Sequence, residues 1–251
     1  MDFCPLCGLS YEFFLSTGKF GCRSCPHIFL PKQIRRAKFL PIAKFELEKL
    51  TNVKEFPHPN WTGIRYRLRI ARCLRKGFFP YYARYEDEIL NLLEKAKLIQ
   101  LHQVKKKDSN TSQGLHFYFG DEDHLRFEIV GEKSEFQSMF SDTYHDCKRF
   151  LYQTNLWAYE TPIGFINSCP TNCGRGDRMS VQAKIESKYV PELVNYLEPL
   201  MGFGIEFSPQ VDVHSREKLE TNRVLVQISC KNAFPSQKLR FFKILGLLGL
   251  R

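Results

Sequence analysis

An α+β fold, an antiparallel sheet flanked by helices, is what the sequence predicts for most of its length, preceded by a small cysteine-rich module. Three observations predict it. Strand-like alternation and helix-like spacing are intermixed without the regular rhythm of a doubly wound parallel sheet. Of 251 residues, 43% are hydrophobic and 22 are Phe, enough for a sizeable core. Four of the nine cysteines stand near the N-terminus in two pairs of equal spacing.

Taken in order, residues 1–30 are punctuated by cysteines and by aromatic positions at Tyr11, Phe13, Phe14 and Phe20. Residues 31–60 are basic at Lys32, Arg35, Arg36 and Lys38, then amphipathic at Phe45, Leu47 and Leu50. They read as a helix-containing linker that ends at the breaker Pro57, His58, Pro59. Residues 61–251 then form the second domain. Residues 64–70 alternate apolar or aromatic with basic side chains, the period of a strand with one charged face. Residues 84–100 carry Ile89, Leu90, Leu92, Leu93 and Leu98 at helical spacing, and residues 105–114 are a polar surface loop. Residues 115–119 and 125–130 form a strand pair around a turn at 120–123. Residues 134–157 read as one long helix with Phe136, Met139, Phe140, Tyr144, Phe150 and Leu151 on a face. A strand over 164–168 breaks at Pro170, and a further strand covers 179–185. A helix over 190–201 ends at Gly202, a strand covers 224–229, and a last helix covers 239–250.

Cys4-x2-Cys7 and Cys22-x2-Cys25 are the strongest local pattern. Each turn offers two sulfurs to one ion, and two such turns complete a closed tetrahedral zinc site. The plainer alternative is four buried free thiols. A closed four-thiolate site has no open coordination position, so its role is structural or in recognition. Thirty residues bury too little to fold alone, and zinc supplies the missing free energy. His27 reads as a surface or packing residue.

The formal net charge of +10 points to anionic partners such as nucleotide phosphates, nucleic acid or an acidic protein face. Residues 1–30 lack the basic start and apolar centre of a secretory signal. No apolar run reaches the roughly 18–20 residues of a membrane span. With an odd number of cysteines and no disulfide framework, the sequence predicts a soluble cytoplasmic protein.

Three segments stand out together: Arg65 to Arg72 (RYRLRIAR), Asp121 to Arg126 (DEDHLR) and Ser168 to Arg178 (SCPTNCGRGDR). In order and spacing they resemble the phosphagen (guanidino) kinases, and above all the bacterial protein-arginine kinases of the Clp system. That family's strings are S-S-R-I-R-L-A-R, N-E-E-D-H-[LI]-R and C-P-T-N-x-G-T-G-[LM]-R. The resemblance covers roughly residues 61–235, and it implies a phosphagen-kinase catalytic fold with the nucleotide over the sheet. It implies that Arg67, Arg69, Arg126 and Arg178 hold the phosphates of ATP, which a planar guanidinium fork suits. It implies that Glu122 grips and orients the substrate guanidinium and that Cys169 is the reactive thiol beside it. Taken singly, these residues read as strand charges, a turn carboxylate and a buried thiol. His124 supports the local turn.

The sequence also departs from the family. Gly120 and Asp121 replace the Asn and first Glu, Arg65 and Tyr66 replace two serines, and Arg175 and Asp177 replace a Thr and an apolar residue. Gln182 stands where the family has a histidine near the nucleotide. The family's later R-G-x-x-G-E string, with its second guanidinium-binding glutamate, has no match across residues 204–212; Glu217 and Glu220 are candidate substitutes. Against the family the chain ends early, and the phosphoarginine-binding C-terminal domain of the bacterial kinase has no counterpart. The N-terminal module is similar to the zinc knuckles of that kinase's activator.

Three functions follow as expectations. One is a catalytically degenerate, nucleotide-binding pseudokinase that regulates a protein-arginine kinase or Clp partner. Another is an active ATP:guanidino phosphotransferase using ATP with Mg2+. The third is a zinc-ribbon protein binding nucleic acid through the module and the basic linker.

Overall fold

The computed structural model describes residues 3–29, 50, 52–58, 60–80, 82–98, 103–106, 114–119, 121–134, 142–161, 163–202, 204–210, 222–233 and 235–251. The basic stretch 32–44, the aliphatic and aromatic positions Phe136, Met139 and Phe140, and the candidate carboxylates Glu217 and Glu220 lie outside these residues. The chain divides into two compact units.

The first unit combines residues 1–40, 68–130 and 134–177. Its N-terminal part holds α1 (Tyr11–Thr17) and α2 (Cys25–Phe29). Ser10 caps α1 by accepting from the Phe13 N–H at 3.1 Å, the bond that an N-cap hydroxyl is suited to make. Gly18, at φ +64°, ends it with an N–H to Phe14 O at 2.7 Å, a left-handed turn that glycine adopts without strain. This small module does not stand apart. Cys4, Leu9, Phe20, Cys22, Cys25 and Phe29 share one buried cluster with Cys73, Phe79, Ala158, Ile163, Ile166 and Cys173. The join is tight at Gly21: its carbonyl accepts from the Phe79 N–H at 2.9 Å, and a Cβ there would lie 2.5 Å from the Tyr82 ring.

Strand β1 (Thr62–Arg72) enters this unit at Leu68, with Ile70 and Ala71 buried. Helix α3 (Glu86–Lys95) buries Ile89 and Leu93, and has three acidic residues in its first turn where the helix dipole favours them. Strand β2 (Gln103–Lys106), whose last two residues fall in the loop expected over 105–114, runs parallel to β3 (Gly114–Phe119). Strand β3 pairs antiparallel with β4 (Leu125–Gly131), with Tyr118 opposite Arg126. This is the expected strand pair.

Of the long helix expected over 134–157, Ser134 and α4 (Asp142–Leu151) are helical among the described residues, and residues 152–157 are not. Beyond it the chain turns, and the buried Trp157 donates its indole N–H to Phe150 O at 3.0 Å. Aromatic burial there reflects tertiary packing, which the helical period mimics. Strands β5 (Tyr159–Glu160) and β6 (Gly164–Phe165) form a short antiparallel pair. The strand expected to reach residue 168 stops at Phe165 because Phe165 exchanges both backbone hydrogen bonds with Gly174, at 2.7 and 2.9 Å. That pairing folds residues 166–173 into a loop containing a 3-10 turn, Pro170–Asn172. Arg72 secures the loop's base. It is fully buried, stacks 3.8 Å over the Phe165 ring, and donates to Leu151 O and Ala71 O.

The second unit combines residues 41–67, 131–133 and 178–251. Strands β7 (Asp177–Glu186), β8 (Ile205–Gln210) and β9 (Arg223–Lys231) run antiparallel, with β9 between the other two. Helix α5 (Val190–Leu197) is shorter than expected, and α6 (Pro235–Leu247) begins earlier than expected. The start of this unit is tied to its end. Trp61 Nε1 donates to Leu248 O at 2.6 Å, the Phe56 N–H to Leu247 O at 2.8 Å, and Tyr66 Oη to Leu250 O at 2.7 Å. Among the described residues no helix is long and apolar enough to cross a membrane.

Candidate functional site

The four sulfurs of Cys4, Cys7, Cys22 and Cys25 lie within 4.8 Å of one another. Individual separations are 3.7 Å for Cys4–Cys22, 3.5 Å for Cys7–Cys25 and 3.7 Å for Cys22–Cys25. A disulfide needs about 2.05 Å. Four thiolates about 2.3 Å from a central tetrahedral zinc would stand about 3.8 Å apart. The cluster therefore fits zinc, and the four cysteines would hold it. The crowded thiols compete for negative charge. A hydrogen bond from Cys25 leads the effects that pull Cys22 down to about 5, and burial leads those that push Cys7 up to about 12. Cys25 is pushed up by its bond to Cys22 and by burial. His27 is exposed and outside the cluster.

The second site is built on the turn between β3 and β4 and on the loop 166–173. Asp123 is buried and accepts from the Ser168 N–H at 2.8 Å and from Asn172 Nδ2 at 2.8 Å, with the Cys73 thiol at 3.5 Å. Burial, then the charge of Glu122, raises its carboxyl from the ordinary aspartate range to about 6. The same Asn172 amide donates to Glu122 Oε1 at 2.9 Å, and Asn172 Oδ1 accepts from Arg69 Nη2 at 3.0 Å. Asn172 is itself held from behind by Asn167, whose Nδ2 donates to Asn172 O at 2.6 Å. His124 lies buried beside this corner, accepting from the Leu74 N–H at 3.0 Å, and burial lowers it to about 4. It is a neutral turn support at pH 7, as expected.

Glu122 has a second partner that comes from the cysteine module. Lys19 Nζ pairs with Glu122 Oε2, each side chain about one-third exposed, at 32% and 31%. Partial burial pulls the Lys19 ammonium down, but the bond to Glu122 and the charges of Cys169, Glu122 and Asp123 together raise it. Cys169 is half-buried, with Sγ 3.1 Å from Thr171 Oγ1.

The four arginines have separate settings. In the first unit, Arg69 reaches Glu122 through Asn172. Arg126 is paired with Asp121 and, at 3.0 Å, with the buried Glu128, and lies 4.9 Å over the Tyr118 ring. In the second unit, Arg67 is half-buried on β1, and Arg178 Nη2 donates to Ser229 Oγ at 3.0 Å. Gln182, in the family's histidine position, donates to Gln227 Oε1 at 3.0 Å. Sequence reasoning missed Lys19 and gave Asn172 and Asp123 no chemical part. Lys19 lies 46 positions before the nearest kinase-like motif, at Arg65, and is one lysine in a module read for its cysteines. Asn172 and Asp123 were visible inside the motifs, but the bonds from Asn172 to both Asp123 and Glu122 depend on how the loop folds back.

Residues 85–208 match the family described as ATP:guanido phosphotransferase, C-terminal catalytic domain. A protein-arginine kinase of Caldanaerobacter subterraneus subsp. tengcongensis is 25% identical over 177 residues, 61% of this chain and 51% of the relative. A protein-arginine kinase of Staphylococcus aureus is 23% identical over 145 residues, 46% of this chain and 43% of the relative. The chain thus spans about half the length of the curated relatives it matches. In fold, it is similar to the substrate-free duplicated taurocyamine kinase of Schistosoma mansoni, with TM-score 0.56, 16% identity, and coverage of 92% of this chain and 40% of that one. It is also similar to lombricine kinase, with TM-score 0.53, 13% identity, and coverage of 92% and 78%.

Proposed function

Because residues 85–208 carry the pattern of ATP:guanido phosphotransferase catalytic domains, we propose that this chain is a divergent, nucleotide-binding member of that group. It transfers little or no phosphoryl itself and regulates a protein-arginine kinase of the Clp type. One observation carries the reading: the carboxylate assigned to the substrate guanidinium, Glu122, is engaged by an ammonium of the same chain. Phosphoryl transfer with little covalent help from the protein relies on positioning the attacking nitrogen in line. A guanidinium gripped by two carboxylates is well positioned; one gripped by Glu122 alone, and only after Lys19 leaves, is not. Within residues 204–212, where the second carboxylate motif would fall, Ile205–Gln210 is strand β8, and its Glu206 pairs with Lys231 at 2.7 Å.

In this reading Arg67, Arg69, Arg126 and Arg178 hold the phosphates of ATP with Mg2+, Cys169 flanks the guanidinium, and Cys4, Cys7, Cys22 and Cys25 hold zinc. The module packs on Phe79, Ala158 and Ile166, which favours an internal structural role over a nucleic-acid contact. The test is MgATP binding by the full chain, followed by an assay for acid-labile phosphoarginine on an arginine-rich protein. ATP binding without phosphoarginine above the Glu122→Gln control is the expected result. Turnover that Glu122→Gln abolishes would establish the active phosphotransferase instead. Absence of ATP binding would remove the nucleotide from the reading, and failure to co-purify with a protein-arginine kinase or Clp component would remove the partner.

A further inference from the structure

We propose that Lys19 is a tethered stand-in for the cationic substrate: the cysteine module holds its ammonium on Glu122, and a guanidinium ligand must displace it to bind. The inference rests on the reading of Glu122 as the guanidinium-binding carboxylate, and adds to it a built-in competitor.

The placement of Lys19 follows from its neighbours in the chain. Gly18 turns the backbone out of α1 at φ +64°. Phe20 is fully buried, stacks on Phe14 at 5.1 Å, and its N–H donates to Ser168 O at 2.7 Å. Ser168 in turn donates its own N–H to Asp123. Lys19 is thus fixed between a helix cap and a buried aromatic that is bonded to the loop carrying the site. Its side chain reaches Glu122, with Asp123 and Cys169 near enough to favour its charge.

The chemistry matches the substrate class. Glu122 offers one oxygen to the Asn172 amide and the other to a cation. A guanidinium would ask for that second oxygen, so the ammonium and the ligand exclude each other. A tethered group competes at an effective concentration set by its tether, in the millimolar range for short flexible links. A bound state open only part of the time weakens apparent affinity by the open fraction. The pair is part-exposed, so the closed state is favoured modestly, and the expected factor is about two- to fivefold.

The experiment titrates the full zinc-loaded chain with methylguanidinium and follows the Asn172 side-chain amide by NMR. Zinc content per chain confirms that each variant has kept its module. Lys19→Ala is expected to bind methylguanidinium about two- to fivefold more tightly than the wild type. Lys19→Arg, which keeps a cation on the tether, is expected to bind no more tightly than the wild type. Glu122→Gln in the Lys19→Ala background is expected to lose the binding. Equal affinity in wild type and Lys19→Ala, with binding still lost in Glu122→Gln, would overturn the competitor and leave the Glu122 reading in place. Binding that is indifferent to Glu122→Gln would overturn both.

Discussion

Asn172 donates to Glu122 at 2.9 Å while its own carbonyl oxygen accepts from Arg69 at 3.0 Å, so one carboxamide spans the two ends of the candidate site. Its second amide hydrogen goes to the buried Asp123 at 2.8 Å. Asn172→Ala should therefore act on stability as well as on ligand binding. It removes a donor from a buried carboxylate, which typically costs about 1–3 kcal/mol. Urea unfolding would measure the loss. In combination with Asp123→Asn the two losses should fall short of their sum, because both variants break the same bond. Additive losses would mean that Asn172 and Asp123 act independently.

Asp123 gives a pH dependence with a defined sign. Its folded value is raised to about 6, chiefly by burial, above an ordinary value of 3.8. The folded state then binds its proton more tightly than the unfolded chain does. The stability contributed by that proton is fully present below about pH 4 and is lost as pH rises through 6. The difference in unfolding free energy between wild type and Asp123→Asn should fall across this window, by up to about 3 kcal/mol. Asparagine keeps one oxygen for the Ser168 N–H, so the variant can retain the turn. A flat difference between pH 4 and 7 would contradict the assignment.

How much of this was legible in the sequence depends on the kind of pattern. The strand pair at 115–119 and 125–130 was legible because two short apolar and aromatic runs flank a glycine and acidic turn, and both runs are buried along most of their length. The cysteine cluster was legible because its ligand spacing is local. Residues 166–168 were misjudged as the end of a strand, since Phe165 pairs with Gly174 and the chain turns into a loop there. Strand β2, Gln103–Lys106, is short and carries Gln and two Lys, with no apolar alternation to mark it. Lys19 could not be read at all: its partner is 103 positions away, and only the burial of Phe20 and the bond to Ser168 bring them together. Motifs name the residue types a site needs; they do not name what the fold places in front of them.

Loss of zinc should unsettle the first unit as a whole. Cys4, Cys22 and Cys25 share their buried cluster with Phe79, Ala158, Ile163 and Ile166. A structural zinc contributes on the order of 10 kcal/mol to a small site. Even a third of that, lost from a unit of this size, lowers a melting temperature by roughly 6–12 °C. The purified chain should contain one zinc per molecule, and a strong chelator or Cys22→Ser should lower the melting temperature followed by near-UV circular dichroism. An unchanged melt after complete zinc removal would show that thiol packing alone holds the cluster.

The arginines should separate by what they already touch. Arg126 serves two carboxylates, one of them the fully buried Glu128, and stacks over Tyr118. Removing it takes an ion-pair partner from a buried charge, which commonly costs about 3–5 kcal/mol. Arg126→Ala should thus be recovered in poor yield or unfold early, whatever its effect on nucleotide. Arg178 makes a hydrogen bond to Ser229 and is half-buried. Its loss should cost about 1 kcal/mol of stability or less. If it meets a phosphate, Arg178→Ala should weaken MgATP binding about tenfold or more, the scale of a charge-assisted contact. Calorimetric titration of ATP into the folded Arg178→Ala protein measures this without confusion from unfolding. An unchanged affinity there would take Arg178 out of the phosphate clamp, and the same titration on Arg67→Ala and Arg69→Ala would decide whether any clamp remains.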